Sequence, residues 1–481
     1  MKSNNLKVTE ITSIIKFLEK ELSGWIYYNA IRGRSLVATV YLIFLKYLSD
    51  NEIYPQDKIF PKMEDVLENN GKIDGIFVNG YLREKLAKNS ANEDIIVKYA
   101  EEIHFENMPR EFINILNLLS KFDLSNEAEM REVVMSLVMV LSTADVMRPF
   151  KDEVEPIDIS LILSAAELLE TEDNMDVYDC SCGVGTLLAM SSNTGCNIYG
   201  QEENIDKAVI ASILLRLAGA IDPIIEVGDV LQNPITAQYK DILFDRIISS
   251  PPINDKNINA QKLFRMDYIN EFLFRDSLSE SGAWIYARHI IKKLKIDGKG
   301  ILIAPISILS REGVTQEDRI RLAERESIEV IIQLPVGIAS TSARQCIIVL
   351  RKGHDEYTEN TNIFMIDLSS KKGSDYIKAS NSIIDYKKLA ELVFIKEEIE
   401  GISRLVTLSE VNDSDMNFTP AIYFRSFVEL LPKNEGIDET QEVLEIHREL
   451  LKQYEQTEKE LNFAIDKYMK IRNNKLIKEE C

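Results

Sequence analysis

The segment Val177–Met190, VYDCSCGVGTLLAM, constrains the fold more than any other part of the chain. A short apolar run ends in Asp179, glycines follow at Gly183 and Gly185, and Thr186 opens a stretch at helical spacing. Glycine lets the backbone turn sharply and approach a ligand where a side chain would collide. Strand, tight glycine loop and helix in that order form the first unit of a nucleotide-type α/β fold, and also occur as plain packing.

The pattern after this segment alternates. Strands are expected at 176–179, Asn197–Gly200, Ile224–Glu226, Phe244–Ser249, Gly300–Pro305, Ile328–Leu334 and Gln345–Arg351. Helices are expected between them, from Thr186 and over Ile205–Ala218, Trp284–Leu294 and Arg319–Arg325. Such alternation implies a parallel sheet with helices on both faces. Further on, Asn362–Leu368 reads as a strand, Tyr386–Phe394 as a helix, and Val406–Val411 precedes a turn at Asn417–Pro420.

The flanks read differently. Residues 1–150 form a helical domain, with apolar helical spacing over Leu36–Leu48, Ile113–Leu119 and Val133–Val146 and a loop-rich stretch at Asp50–Gly80. Met147–Pro156 has the composition of a linker, and Pro156 opens a helix in IDISLILSAAELLE. The sheet domain occupies 151–435 and a helical tail 436–481. Within 440–475, Val443, Leu450, Tyr454, Thr457, Leu461, Ala464, Tyr468 and Ile471 make a heptad-like seam that His447 interrupts. That seam fits a coiled coil with a partner helix, or a helix lying on its own domain.

Composition narrows the function classes. A net charge of −22 argues against a stand-alone nucleic-acid binder, although a local basic groove or a basic partner could supply phosphate contacts. Five cysteines without a regular framework suggest a reducing, cytoplasmic setting. Four scattered histidines and the close pair Cys180 and Cys182 suggest no metal site. No apolar run is long enough to span a bilayer, and MKSNNLKVTE has no apolar signal core.

Ligands of such sheets sit beyond the carboxyl ends of the strands, where Asp179, Glu202, Asp229 and Ser250 all fall. The loop after Asp179 would hold the amino-acid part of a cofactor on backbone N–H groups. Glu202, in YGQEEN, is placed to accept from ribose hydroxyls, and Asp229, in GDVL, from an adenine amino group. Ser250–Pro251–Pro252 closes FDRIISSPPIN. A proline pair cannot donate to the sheet, so it stiffens the loop and aims carbonyls outward; alone it also serves as a strand terminator.

Together DCSCGVG, GQEEN, GDVL and SPPI resemble the γ-class DNA amino-methyltransferases that use S-adenosylmethionine. More narrowly they resemble the modification subunits of type I restriction–modification systems, whose motifs run D-P-x-C-G-x-G, G-x-E, G-D-x-L and N-P-P-F/Y. LVATVYLIFLKYLSD, GKGILIAPISILSREG, SIEVIIQLPVGIASTSARQCIIVLRKG and SRLVTLSEVNDSDMNFTPAIYF extend the likeness over roughly residues 30–425.

The resemblance implies a Rossmann-like methyltransferase sheet with an N-terminal all-helical domain and a C-terminal coiled-coil helix. It implies methylation of adenine N6 in DNA, with a specificity subunit reading the sequence and a possible restriction subunit. S-adenosylmethionine would be held by Asp179, Cys182, Gly183, Gly185, Glu202 and Asp229. Cys182 matches the motif cysteine and is read as packing the loop. The catalytic turn would be Ser250, Pro251, Pro252 and Ile253, acting on a base flipped from its helix at about a few kcal/mol. No covalent enzyme intermediate is needed, so neither Cys180 nor Cys182 need be a nucleophile.

Three departures stand out. Ser250 replaces the usual Asn, with a shorter acceptor and no amide dipole. Ile253 replaces the stacking aromatic and offers no ring face. Glu155–Pro156 stands where F-x-T-P is expected, with Phe150 displaced from it. Two alternatives stay open: a methyltransferase fold retained for assembly or a DNA-associated role, and cytosine-N4 methylation, in which SPP is common.

Overall fold

The computed structural model describes residues 34–51, 95–100, 123–143, 147, 157–192, 195–231, 242–251, 282–312, 314–335, 338, 344–352, 362–378 and 384–424. Met1–Phe424 form one compact unit and Arg425–Cys481 a second. The seam at 440–475, Ile113–Leu119 and most of Asp50–Gly80 lie outside the described residues.

The first helices are α1 (Arg34–Asp50), α2 (Ile95–Ala100), α3 (Glu127–Leu141) and α4 (Ile159–Leu169). Helix α3 stops at Leu141, short of the expected Val146, and the Ser142 and Thr143 amides close it by donating to the Val138 and Val140 carbonyls. Asp158, rather than Pro156, caps α4 by accepting from the Ser160 amide. The alternating region follows as β1 (Asp176–Asp179), α5 (Thr186–Ser191), β2 (Asn197–Glu202), α6 (Ile205–Leu217), β3 (Ile224–Val227) and β4 (Phe244–Ser249). Next come α7 (Gly282–Lys293), β5 (Leu294–Pro305), α8 (Val314–Glu324), β6 (Ile328–Gln333), β7 (Gln345–Arg351) and β8 (Asn362–Asp367). The described chain ends with α9 (Lys371–Ile377), α10 (Tyr386–Ile395), β9 (Ser403–Thr407), α11 (Leu408–Asp413) and α12 (Ala421–Phe424).

The described strands make one sheet in the order β3-β2-β1-β4-β5-β7-β6-β8-β9. It is not wholly parallel, as the alternation implied. β7 runs antiparallel to both β5 and β6, and β9 antiparallel to β8. The order reverses at β1, with β2 on one side and β4 on the other, which opens the crevice where ligands of wound sheets bind.

Side chains alternate across the pleat. Ile301 and Ile303 join the apolar cluster on one face, and Leu302 and Ala304 the cluster on the other. Both faces are covered, so β6 and β7 read as near-continuous apolar runs. Helix α1 packs on α6, and Tyr99 of α2 donates to Asp206 of α6, so these N-terminal helices rest against the sheet's own helical layer. Tyr178 of β1 stacks on Phe244 of β4 at 4.5 Å between ring centres, which pins the two strands that carry the candidate site. Among the described residues no helix is long and apolar enough to cross a membrane.

Candidate active site

Asp179 ends β1 and is completely buried. Its Oδ1 accepts from the Ser181 amide at 2.9 Å and from the Ser249 hydroxyl at 2.7 Å. Its Oδ2 is buried with no hydrogen-bond partner. Burial pushes the carboxyl up to about 7, the nearby Glu202 adds to this, and the two donors work against it.

The glycine loop turns as the sequence predicts. Gly183 has φ +55° and Gly185 φ +82°, and Gly185 leads into α5. A Cβ on Gly185 would stand 2.9 Å from the Cα of Ala211 in α6, whereas one on Gly183 would meet nothing within 4 Å. The tight glycine therefore serves helix–loop packing, and the open one leaves room beside the strand ends.

The loop amides are engaged differently from expectation. The N–H groups of Ser181, Cys182, Gly183 and Gly185 donate to Asp179 Oδ1, the Gln201 carbonyl, Glu202 Oε2 and the Cys182 carbonyl respectively. They fold the loop on itself and on β2 rather than standing ready for a ligand. Next to them stand carboxylates, an arrangement that suits a cationic ligand.

Glu202 ends β2 and is buried; its two oxygens accept from the Gly183 and Asn204 amides, both at 2.9 Å. Asp229 follows β3, half-buried, with Oδ1 accepting from the Leu231 amide at 2.8 Å. Cys182 is buried beside β2, where a Cβ on Gly200 would lie 3.0 Å from its Sγ, so a glycine in β2 makes its berth. Burial raises both the Cys180 and Cys182 thiols, and Asp179 adds to this, which keeps them protonated and poor nucleophiles.

Ser250 is half-buried and Pro251 buried, directly after β4 and next to β1. Pro252 and Ile253 lie outside the described residues, as do Phe150 and Glu155–Pro156. One strand edge thus carries Asp179, Glu202 and Ser250, and hydrogen bonds join Asp179 to the loop and the loop to Glu202.

Two residues beside the site escaped the reading of the sequence. Ser249 bonds across from β4 to β1, and its contribution depends on those strands being neighbours. Tyr286 of α7 is buried in the cluster that holds Cys180, Val230 and Leu231. Burial raises its phenol, and the neighbouring Cys180, Asp229, Glu203 and Glu202 add to this.

The family model described as N-6 DNA methylase matches residues 155–429, more than half of the chain. The type I restriction enzyme MjaVII methylase subunit of Methanocaldococcus jannaschii is 27% identical over 323 residues, 63% of this chain and 53% of that protein. The type I restriction enzyme MpnII methylase subunit of Mycoplasma pneumoniae is 24% identical over 293 residues, 57% of this chain and 53% of that protein. The chain thus spans about half the length of these curated relatives. A type I restriction-modification methyltransferase subunit from Streptococcus thermophilus has the same fold. Its TM-score is 0.63 at 17% identity, covering 89% of this chain and 100% of that one.

Proposed function

Since the chain belongs to the N-6 DNA methylase family, we propose that it is an S-adenosylmethionine-dependent DNA adenine-N6 methyltransferase. It would work as the modification subunit of a type I restriction–modification system. The observation that carries this reading is the convergence of Asp179, Glu202 and Ser250 on one strand edge, beside a loop that is open at Gly183.

The residues fit the cofactor by their chemistry. S-adenosylmethionine, when bound, supplies an electrophilic methyl group on a cationic sulfonium. Asp179, with Oδ2 unpartnered, and Glu202 set negative charge beside the loop to receive a cation. Glu202, at the end of β2, accepts from ribose hydroxyls, and Asp229 accepts from the adenine amino group. Gly183 and Gly185 shape the loop, and Cys182 packs it.

The base amine is a poor nucleophile because its lone pair is delocalised into the ring. The Ser250 hydroxyl and the Pro251 carbonyl accept hydrogen bonds from that amine and localise the pair. Pro252 stiffens the turn, and Ile253 covers the base with apolar area. The short Ser250 acceptor also suits cytosine N4, and that is the second reading.

Charge assigns the remaining roles. A chain of net charge −22 needs basic surface from elsewhere to hold DNA, which a specificity subunit supplies. The seam at 440–475 docks a partner helix, and a restriction subunit completes the system in the cytoplasm. The division of labour is 1–150 for helical support, 151–435 for catalysis and 436–481 for assembly.

Isothermal titration of the full chain with S-adenosylmethionine tests the cofactor, and saturable binding is expected. Mass spectrometry of nucleosides from DNA exposed to the assembled complex tests the reaction. N6-methyladenine is expected, and N4-methylcytosine moves the assignment to the second reading. Cofactor binding without methylation of either base leaves an assembly role.

A further inference from the structure

Ser249 is the last residue of β4, fully buried, one position before Ser250. Its hydroxyl donates its single proton to Asp179 Oδ1 at 2.7 Å. In the 2.7 Å contact between Ser249 Oγ and Ser181 Oγ, the donor is therefore Ser181. The Cys180 thiol donates to the same oxygen at 3.3 Å. Ser249 Oγ is thus saturated, with one bond given and two accepted. Donors arranged in series reinforce one another in a low-dielectric interior. Both donors to Asp179 go to Oδ1, which leaves Oδ2 as the acceptor still to be met.

We propose that Ser249 is a positioning residue that fixes Asp179 and Ser181 in one arrangement across β1 and β4, keeping Oδ2 for a cationic N–H donor of the cofactor and tying that contact to the backbone that carries Ser250. This rests on the reading above that the crevice takes S-adenosylmethionine. Ser249 adds no contact to the base or the methyl group; it acts through Asp179 and Ser181.

Proton linkage makes the inference measurable. Asp179 sits at about 7, so near neutral pH a fraction of the chains hold a proton there. The groups facing it are Glu202 from β2, the Cys180 and Cys182 thiols of the loop, and the Tyr178 phenol of its own strand. Burial keeps the thiols and the phenol neutral, and Glu202 adds to the upward push on Asp179. A cation arriving at Oδ2 favours the ionised carboxyl and expels the proton. Affinity therefore falls as pH drops below about 7, and binding at pH 7 releases up to about half a proton.

The test is isothermal titration of S-adenosylmethionine into the full chain from pH 6 to 8.5, in buffers of different ionisation enthalpy. Ser249→Ala removes a donor that favours the ionised Asp179. The expected result is about tenfold weaker binding at pH 7, with the fall in affinity moved to higher pH. Ser181→Ala, at a half-buried loop position, repeats the test without touching the strand and should move the profile the same way by less. Wild-type affinity and an unmoved pH profile in both variants overturn the proposal. So does a loss of affinity that is equal at every pH, the mark of a merely structural role. If the wild-type chain binds no S-adenosylmethionine at all, the functional reading itself falls, an outcome distinct from either of these.

Discussion

β1 and β4 lie side by side, and carboxylates stand at both edges of the pair, yet the two edges are built on opposite electrostatic terms. At the amino edge, Lys295 donates to Asp176 at 2.9 Å and to Asp245 at 2.7 Å, and Asp245 also accepts from the Asp176 amide. Partial burial pulls the Asp245 carboxyl upward, but the Lys295 and Asp176 hydrogen bonds outweigh it and hold the group below its ordinary range. At the carboxyl edge, Asp179 is fully buried, one oxygen has no partner, and its nearest charged influence is another carboxylate. The amino edge is compensated within the chain; the carboxyl edge is left incomplete. A fold tolerates one such defect because its apolar core supplies ample stabilisation, about 1.5–3 kcal/mol for each buried Val, Leu or Ile side chain. An uncompensated buried carboxylate at the switch point of a wound sheet is what a cationic ligand would complete.

The strongest way to break the comparison is Asp179→Asn. Loss of the carboxylate should weaken S-adenosylmethionine binding about a hundredfold, as for a buried charge-assisted contact. The same change should stabilise the free protein. The folded carboxyl sits at about 7 against an ordinary 3.8, so the folded chain keeps its proton where the unfolded chain has lost it. The stability present below 3.8 is therefore lost as pH rises toward 7. Urea denaturation should show the variant about 2–4 kcal/mol more stable at pH 8 and much closer to wild type at pH 4. Unchanged binding, or destabilisation at pH 8, would mean that Asp179 is compensated after all.

The two loop glycines sharpen the contrast within a single turn. Gly185→Ala forces a left-handed φ on alanine and drives its Cβ against Ala211, so a loss of about 2–4 kcal/mol is expected in urea melts. Gly183→Ala meets open space and should lose only about 1 kcal/mol. Its methyl group takes up open space in the loop proposed to hold the cofactor, so cofactor affinity should suffer more than stability. Equal effects of both variants on stability would remove the distinction between a packing glycine and a site glycine.

Much of the sheet was legible because apolar runs bounded by polar residues have one reading. Phe244–Ser249 and Gln345–Arg351 have the boundaries that the sequence predicts. The start of β5 was not legible: the strand is expected from Gly300, yet it begins at Leu294, which pairs with Phe244, and the register shifts before pairing resumes at Lys299. Val406–Val411 divides at Thr407, which ends β9 and caps α11 in a reciprocal pair with Glu410. The spacing T-x-x-E carried that signal. Antiparallel β7 follows from pairing partners, which hydrophobic period does not reveal. At the candidate site, the strand ends that carry Asp179, Glu202, Asp229 and Ser250 could be read from their motifs. The bond from Ser249 to Asp179 could not, since it joins residues 70 positions apart through strand adjacency.

The smallest expected effect tests the compensated edge. Lys295→Met removes the cation shared by Asp176 and Asp245, but all three side chains are partly open to solvent, with Lys295 40% exposed. Solvent screening limits the loss to about 1 kcal/mol at neutral pH. Because the Asp245 carboxyl is depressed on folding, that contribution is present above its ordinary 3.8 and disappears as pH falls through the lower folded value. It should also shrink in urea melts at about 1 M salt, where charges a few Å apart are already screened. Cofactor affinity should not move, because β1 places Asp176 and Asp179 about 10 Å apart at ordinary strand rise, near the screening length of physiological salt. A fall in affinity comparable to that of Asp179→Asn would show that the two edges communicate along β1 and β4, and the incomplete edge could then no longer be treated as an independent site.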